Sequence, residues 1–384
     1  MAIAVSDLQD LITTTQKELG ELKWTEIATD LQEHTALSSL LQESRVQFSS
    51  GTSIQWNIMV ENSGLAKDTS LFATDEVNIG DVMKTAEIGW KHQTTNYAIE
   101  RREIAFNRDP RRIVDLVAVR RADAMISMAE HMEKRFWGAP TTATDLKMNG
   151  VGYWITTSGT VPSADGTGGF VGGDKFSGGT AGLSSADYPR WQNYWGKYAA
   201  GDLTGAPATT NNQNYSAVAD GSGQPAAFPV LGLVKQMREA YIKTGFKPIA
   251  NASVPSYNTG DRHGIYCGYT ALAGLEQIVE RTNDKVTSAD LQPYAGRVVF
   301  RGVPITYVPH LDAAADNNPI YMLNWGTFHP VFLEGEYMRE MGPEVAPNQH
   351  TTLVTHIDCT LNTYCTDRRR NAVLSNAAVT LQNN

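Results

Sequence analysis

Two carboxylates lie close together in the sequence and could perform acid–base chemistry. Glu334 and Glu336 are two residues apart on a predicted strand, so both side chains point to one face. Such a pair serves hydrolysis when one group donates a proton and the other activates water or attacks the substrate. No further polar residues that would complete a catalytic pocket surround this pair. A solvated strand face is the favoured interpretation, and a β-rich hydrolase is the alternative.

A second group of reactive side chains lies near the C-terminus. Zinc sites need tight spacings such as Cys-x₂₋₄-Cys or His-x₃₋₅-His. His356 and Cys359 fit this pattern loosely, whereas Cys359 and Cys365 do not. Alternation along a strand explains the group better, and its members are His350, His356, Asp358, Cys359 and Cys365. We predict no metal site here.

Glycine pairs at 168–169, 172–173 and 178–179 could suggest a phosphate-binding loop. A P-loop ends in Gly-Lys-Ser/Thr, and this tripeptide does not occur in the chain. The spacing also fails the dinucleotide fingerprint, and no Gly-x-Ser-x-Gly nucleophile elbow is present. We therefore predict no catalytic residues and no bound cofactor.

A basic helix face is the remaining candidate for chemistry. Its members are Arg120, His131, Lys134 and Arg135, which share one side of a predicted long helix. They could contact a polyanion through its phosphates without reading sequence. Acidic residues between them, at Asp123, Glu130 and Glu133, weaken the positive electrostatic potential of this face. The solvated side of an amphipathic helix, or an interface with an acidic neighbour, is favoured, and DNA contact is the alternative.

The helix that carries this face is the clearest element in the sequence. Asp109 provides an N-cap, Pro110 suits the first helical position, and Gly138 provides a stop. A helix over 109–137 would be ~40 Å long. Its apolar stripe follows spacings of three and four and consists of Val114, Ala118, Ala122, Met125, Ala129, Met132 and Phe136.

Two arms are predicted before this helix. Residues 1–45 combine thinly spread leucines with eight acidic and three basic residues, which favours a helical arm that packs on neighbours. Residues 54–60 alternate as a strand does, and further strands are predicted near 77–92 after a turn-rich tip at Lys67 and Asp68. A two-stranded excursion of this kind is marginal alone and needs a partner surface.

The rest of the chain mixes loops, helices and strands. A Gly-rich insertion at 139–225 is loop and short-strand material. Helices are predicted at about 228–244 and 270–281. Strands are predicted at 265–267, 297–308, 319–325, 328–341 and 350–365.

Bulk properties exclude several classes of protein. The 384 residues suffice for one large domain or two to three ordinary ones. The net charge of −9 is opposite to that of a nucleic-acid-binding protein, so any DNA contact would be local. The three cysteines favour a reducing compartment rather than a disulfide framework. We expect no secretory signal and no membrane partner, because neither a basic n-region nor a long apolar run occurs.

The order of these elements resembles the major capsid proteins of tailed bacteriophages. That order is an acidic arm, a β-hairpin, a long helix, a second helix, a compact α/β region and a long terminal strand. Local stretches are also similar to the family, at 264–267 before the helix from Thr270, 302–305 (Gly-Val-Pro-Ile), 322–325 (Met-Leu-Asn-Trp) and 366–372 (Thr-Asp-Arg-Arg-Arg-Asn-Ala).

The resemblance implies an α+β fold of defined parts. These are an N-terminal arm at 1–45, an extended β-hairpin loop with flanking strand at 46–100, a peripheral domain at 101–263 with spine helix 109–137 and insertion 139–225, an axial domain at 264–335, and peripheral-domain return strands at 336–384. Some members cross-link Lys to Asn from the extended loop. Because no Asn partner for Lys67 can be identified, we predict no covalent chemistry.

The resemblance also implies a function. The chain would be a non-enzymatic structural subunit that self-assembles through hexamers and pentamers into the icosahedral head of a virion. It would enclose double-stranded DNA by non-specific contact, with Lys67 and Asp68 touching a neighbouring subunit. Assembly would occur in the host cytoplasm, with scaffolding, portal and decoration proteins as further partners. An encapsulin-type bacterial nanocompartment shell is the first alternative and the hydrolase of Glu334 and Glu336 the second; the long arm and the insertion favour the phage protein.

Overall fold

The computed structural model describes a large part of the chain, namely residues 46–48, 51–61, 68, 70, 82–106, 110–158, 168–198, 232–245, 263–282, 291–294, 297–314, 318–346 and 349–376. The predicted N-terminal arm at 1–45 and the loop-tip residue Lys67 lie outside the described residues. Among the helices within these ranges, none has the length and apolar character needed to cross a membrane.

The described elements alternate between strands and helices. The helices are α1 (Arg101–Phe106), α2 (Pro110–Trp137), α3 (Val151–Trp154), α4 (Gly232–Thr244) and α5 (Tyr269–Thr282). The strands are β1 (Val46–Phe48), β2 (Ser53–Met59), β3 (Met83–Gly89), β4 (Lys91–Glu100), β5 (Gly169–Gly172), β6 (Asn193–Tyr198), β7 (His263–Cys267), β8 (Leu291–Tyr294), β9 (Arg297–Phe300), β10 (Val303–Tyr307), β11 (Ile320–Asn324), β12 (Phe328–Leu333), β13 (Arg339–Ala346), β14 (Gln349–Cys365) and β15 (Ala372–Asn376). Short 3₁₀ turns lie at Pro189–Trp191, Pro309–Ala314, Trp325–Thr327 and Arg368–Arg370.

The predicted hairpin is present as a two-stranded sheet. Strands β2 and β3 pair antiparallel, from Ser53 opposite Gly89 to Met59 opposite Met83. The alternating sequence therefore produces the element it predicts, because every second side chain turns toward the core.

A five-stranded sheet is built around the long strand β14. Strand β4 pairs with one edge of β14, and β12 followed by β13 pair with the other, all antiparallel. Strand β1 then pairs parallel with β12. The second sheet has eight strands in the order β5-β6-β15-β11-β7-β10-β9-β8. The chain passes from the first sheet to the second at the turn Arg368–Arg370, between β14 and β15.

Two hydrophobic cores occupy the opposite faces of the eight-stranded sheet. In β11, Ile320 and Met322 belong to the core beneath α4 and α5, while Tyr321 and Leu323 belong to the core shared with α2 and the hairpin. Because a hydrophobic core covers each face of the sheet at β11, this strand is buried and largely apolar at successive positions and does not alternate between apolar and polar residues.

Helix α2, the spine helix, lies where a long helix is predicted, and the predicted first residue, Asp109, lies outside the described residues. It begins in the described chain at Pro110 and ends at Trp137, directly before Gly138. The predicted apolar stripe was wrong at Ala118, which is exposed, and at Ala122, which is only half-buried, and the side chain of Val114 lies outside the description. The buried side is instead formed by Ala124, Met128, Met132, Glu133, Phe136 and Trp137. Alanines have no strong preference for either side, so the large residues near the C-terminal end fix the orientation of the helix.

Candidate functional site

The hairpin has one buried face and one exposed face. On the buried face Trp56 lies 4.9 Å from the ring of Tyr364 and 6.0 Å from that of Trp154. The amide of Glu87 donates to the carbonyl of Ala181 at 3.0 Å. These contacts pack the hairpin against the core that it shares with α2. The opposite face of the hairpin therefore points away from that core.

The outer face of the hairpin carries an exposed apolar pair. Met59 and Met83 are direct cross-strand partners at the end nearest the tip, and they are 65% and 55% exposed. Cross-strand partners lie close enough for their side chains to touch. Two adjacent exposed methionines form an apolar surface of the adaptable kind used in contacts between proteins. Of the predicted tip residues, Asp68 is exposed.

Two arginines near the middle of the spine helix, Arg120 and Arg121, form ion pairs with other elements. Arg120 donates from Nη1 to Glu103 Oε2 at 2.8 Å and from Nη2 to Glu103 Oε1 at 3.1 Å. It also donates to the carbonyl of Ala98 at 2.8 Å. Arg121 donates from Nε to Glu340 of β13 at 2.7 Å. Arg120 therefore holds the helix to strand β4 and helix α1 of the same chain.

The remaining members of the predicted basic face lie near the helix C-terminus. His131 and Lys134 are exposed, and Arg135 is half-buried. Partial burial, followed by the charges of Arg135 and Lys134, lowers the pKa of His131. The field around these three side chains is therefore positive, although Glu130 opposes it. Whether they meet DNA or a neighbouring subunit stays a prediction.

The end of the five-stranded sheet that contains β13 is largely exposed to solvent. Strand β13 is exposed along almost its whole length and includes the apolar side chains of Met341 and Val345. It forms an outer edge of the sheet, and Pro343 in its centre lacks an N–H. Proline and charged residues on an edge strand oppose addition of another strand. The exposed faces, more than this edge, are available to partners.

A buried arginine organises the junction between the two sheets. Arg368 is fully buried and donates to the carbonyls of Trp154 at 2.7 Å and Gly173 at 2.8 Å. Asp174 lies 3.5 Å from its Nη1. Burial lowers the pKa of Arg368 to about 10, which leaves it charged at neutral pH. Sequence reasoning missed this role, because three successive arginines look like a surface turn.

The C-terminal end of the spine helix packs against aromatic rings and against the backbone at one glycine. Trp137 lies 5.2 Å from the ring of Tyr266, and Trp325 donates from Nε1 to Tyr266 Oη at 2.8 Å. A Cβ on Gly150 would overlap the backbone carbonyls of Arg135, Phe136 and Gly138. The glycine thus lets the following segment approach the helix end, a requirement that no sequence pattern revealed.

The candidate catalytic and metal residues do not form sites. Glu334 and Glu336 lie in the turn between β12 and β13, not on one strand face, so that prediction was wrong. Gly335 at φ +80° breaks the strand there, and Glu336 pairs with Arg339 at 2.5 Å. In the described ranges no group of three His, Cys, Asp or Glu is arranged to hold a metal ion.

The C-terminal group follows the predicted alternation along β14. His356 is exposed, Ile357 is buried, and Cys359 and Cys365 are buried. Burial, and then the charge of Asp367, raise the pKa of Cys365 to about 12. This thiol is therefore protonated at neutral pH.

No protein-family model matches the sequence, and no curated protein matches it either. Among solved structures, the chain is similar to one from the cyanophage A-1(L) capsid asymmetric unit, with 16% identity, a TM-score of 0.53, and coverage of 94% of this chain and 98% of that chain.

The chain has a phage capsid fold. This confirms the α+β capsid fold that the order of elements predicts. The match extends through nearly the whole of both chains, so both sheets and the spine helix belong to one architecture.

Two further structures have lower scores. The holo-SrpI encapsulin complex from Synechococcus elongatus PCC 7942 has 12% identity, a TM-score of 0.49, and covers 100% of this chain and 99% of that chain. The capsid of a native GTA particle has 12% identity, a TM-score of 0.47, and covers 94% of this chain and 97% of that chain.

Proposed function

We propose that the chain is a structural, non-enzymatic subunit that self-assembles into the icosahedral head of a tailed bacteriophage and encloses double-stranded DNA. The observation that carries this proposal is the capsid fold, which matches a cyanophage capsid chain along almost its full length. The subunit would form hexamers and pentamers, assemble in the host cytoplasm and reside in the virion.

The surfaces of the subunit support assembly with copies of itself. Met59 and Met83 are exposed on the outer face of the hairpin, and Met341 and Val345 are exposed on strand β13. Fully burying a side chain of this size contributes about 1.5–3 kcal/mol. Four such side chains in reciprocal contacts would supply a substantial part of the energy of one interface, which each copy would make repeatedly around a closed shell.

The spine helix supports a narrower proposal for DNA contact. His131, Lys134 and Arg135 project from the helix near its C-terminus, with the first two exposed. They would touch phosphates without reading base sequence. Arg120 is left out of this surface because Glu103 and the carbonyl of Ala98 satisfy its guanidinium. Scaffolding, portal and decoration proteins are further proposed partners.

Electron microscopy of the purified full-length protein tests the main proposal. We expect closed shells, tubes or capsomers of uniform size, alone or with a scaffolding protein. A monomer at every protein and salt concentration, with or without scaffold, would overturn it. An encapsulin-type shell would also be closed, but it would retain a cargo enzyme and no nucleic acid.

A further inference from the structure

A pair of arginines outside the surfaces described above lies where two short turns pack together. The 3₁₀ turn Pro189–Trp191 contacts the 3₁₀ turn Arg368–Arg370. On the inner side Arg368 lies over the ring of Trp191 at 5.7 Å. On the outer side each turn presents its central residue, Arg190 and Arg369. The buried contact therefore fixes the positions of the two outer arginines.

The guanidinium of Arg369 is oriented by an aromatic ring. It lies 4.0 Å from the ring centroid of Phe170, on the edge strand β5. Stacking on a ring occupies one flat face of a guanidinium and leaves its N–H edge for a further acceptor. Arg369 is half-buried, while Arg190 is exposed. The pair thus combines one ordered donor with one accessible donor.

Neither arginine forms an ion pair with a carboxylate in the described part of the chain. No carboxylate among those residues lies within 4.0 Å of the guanidinium of Arg190 or Arg369. Asp367 is turned toward the backbone amide of Arg369 and the side chain of Arg370. By contrast, Lys243 on the neighbouring helix α4 is paired with Glu239 at 2.5 Å.

The electrostatics agree with two close positive charges. Burial, and next the charge of Arg190, lower the pKa of Arg369, and Asp367 opposes them. A bound anion would relieve this repulsion. Because both donors are arginines, the pair suits the planar, two-point recognition of phosphate oxygens.

We propose that Arg190 and Arg369 form a phosphate-binding pair that contacts the backbone of double-stranded DNA. This inference rests on the proposed function, which supplies the DNA. The contact is independent of base sequence, since phosphates carry no sequence information. It is also separate from the His131, Lys134 and Arg135 surface on the spine helix.

The test measures binding of a short labelled DNA duplex to the unassembled full-length subunit as salt is varied. Each phosphate contact contributes roughly 0.9 to the slope of log affinity against log salt. The R190Q/R369Q variant should lower this slope by about 2 and weaken binding by on the order of tenfold at ~0.1 M salt. R190K/R369K, which keeps both charges, should retain most of the slope.

A matched control removes two cations elsewhere. Arg102 is exposed and Lys147 is half-buried, and their described ion pairs are with carboxylates two residues away, so R102Q/K147Q changes the net charge equally. The proposal is wrong if the slope falls as much in this control, or does not fall in R190Q/R369Q. It is also wrong if inorganic phosphate binds the pair and the duplex does not.

Assembly separates this inference from the proposed function. If wild-type protein forms no shells, the proposed function fails, whatever the duplex measurement shows. If wild-type protein forms shells and R190Q/R369Q binds the duplex normally but does not assemble, the pair contacts an acidic segment of another subunit, and the DNA proposal is overturned.

Discussion

Arg120 of the spine helix and Glu103 of α1 are joined at two points, with Nη1–Oε2 at 2.8 Å and Nη2–Oε1 at 3.1 Å. The Glu103 side chain is 7% exposed and that of Arg120 is 26% exposed. This pair links the middle of the spine helix to α1.

Replacing Arg120 by glutamine should therefore destabilise the subunit. The change leaves a buried carboxylate without its partner, which we expect to lower the free energy of unfolding by about 1–3 kcal/mol. Urea unfolding of the unassembled subunit measures this. Arg121→Gln is the matched control one residue away, and it should have little effect because the Arg121–Glu340 pair is largely solvated. Equal losses in the two variants would contradict the assignment of Arg120 as an internal fastener.

The exposed methionine pair should matter for assembly and not for folding. Met59→Thr/Met83→Thr keeps residues that suit a strand but removes the apolar surface. We expect shells or capsomers to be lost or to require much higher protein concentration, measured by sedimentation and electron microscopy. The unfolding midpoint of the subunit should hardly change.

Ile242→Thr on α4 provides the control for the methionine pair, because it removes an exposed apolar side chain from another surface. Normal assembly of Met59→Thr/Met83→Thr would show that the outer face of the hairpin makes no essential contact.

A methyl group at position 150 should disturb the end of the spine helix. Gly150→Ala places a Cβ against the carbonyls of Arg135, Phe136 and Gly138, so the segment must shift. We expect a loss of about 3 kcal/mol in the free energy of unfolding. Gly178→Ala is the control, since a Cβ there meets no atom within 4 Å. Thermal and urea unfolding compare the two, and equal stability would refute the close approach.

The pKa of His131 reports the charge of the spine-helix surface. An NMR titration, assigned with His131→Asn, should give a pKa below 6.5, the ordinary value for histidine. Arg135→Gln should raise it, because one of the repelling charges is removed. Since the unfolded chain binds this proton more readily, His131 makes stability decrease as pH falls through about 6.5 toward its lowered pKa. An unchanged pKa in Arg135→Gln would show that Arg135 exerts no field at His131.

The sequence predicts local elements well and long-range contacts poorly. Pro110 and Gly138 mark the spine helix because helix ends depend on a few nearby residues. The orientation of that helix depends on Trp137 meeting Tyr266 and Trp325, which are distant in sequence. Glu334 and Glu336 were misplaced because a single residue, Gly335, changes the path of the strand. The role of Arg368 depends on carbonyls at Trp154 and Gly173, which no pattern near Arg368 could indicate.

The domain boundaries at 45, 100, 263 and 335 stay predictions. The predicted parts and the two observed sheets do not coincide everywhere. Strand β15 (Ala372–Asn376), for example, pairs with β11 in the eight-stranded sheet. The resemblance places β15 in the peripheral domain and β11 in the axial domain.

Strand β14 has 17 residues and pairs along both edges. At about 3.4 Å per residue it is roughly 55 Å long. One end lies in the core beside Phe328 and Trp154, and the other lies in the exposed region of β13. A rotation of about 2° at the buried end would move the exposed end by roughly 2 Å. In the shell that we propose, such a tilt would let one subunit meet its neighbours at slightly different angles.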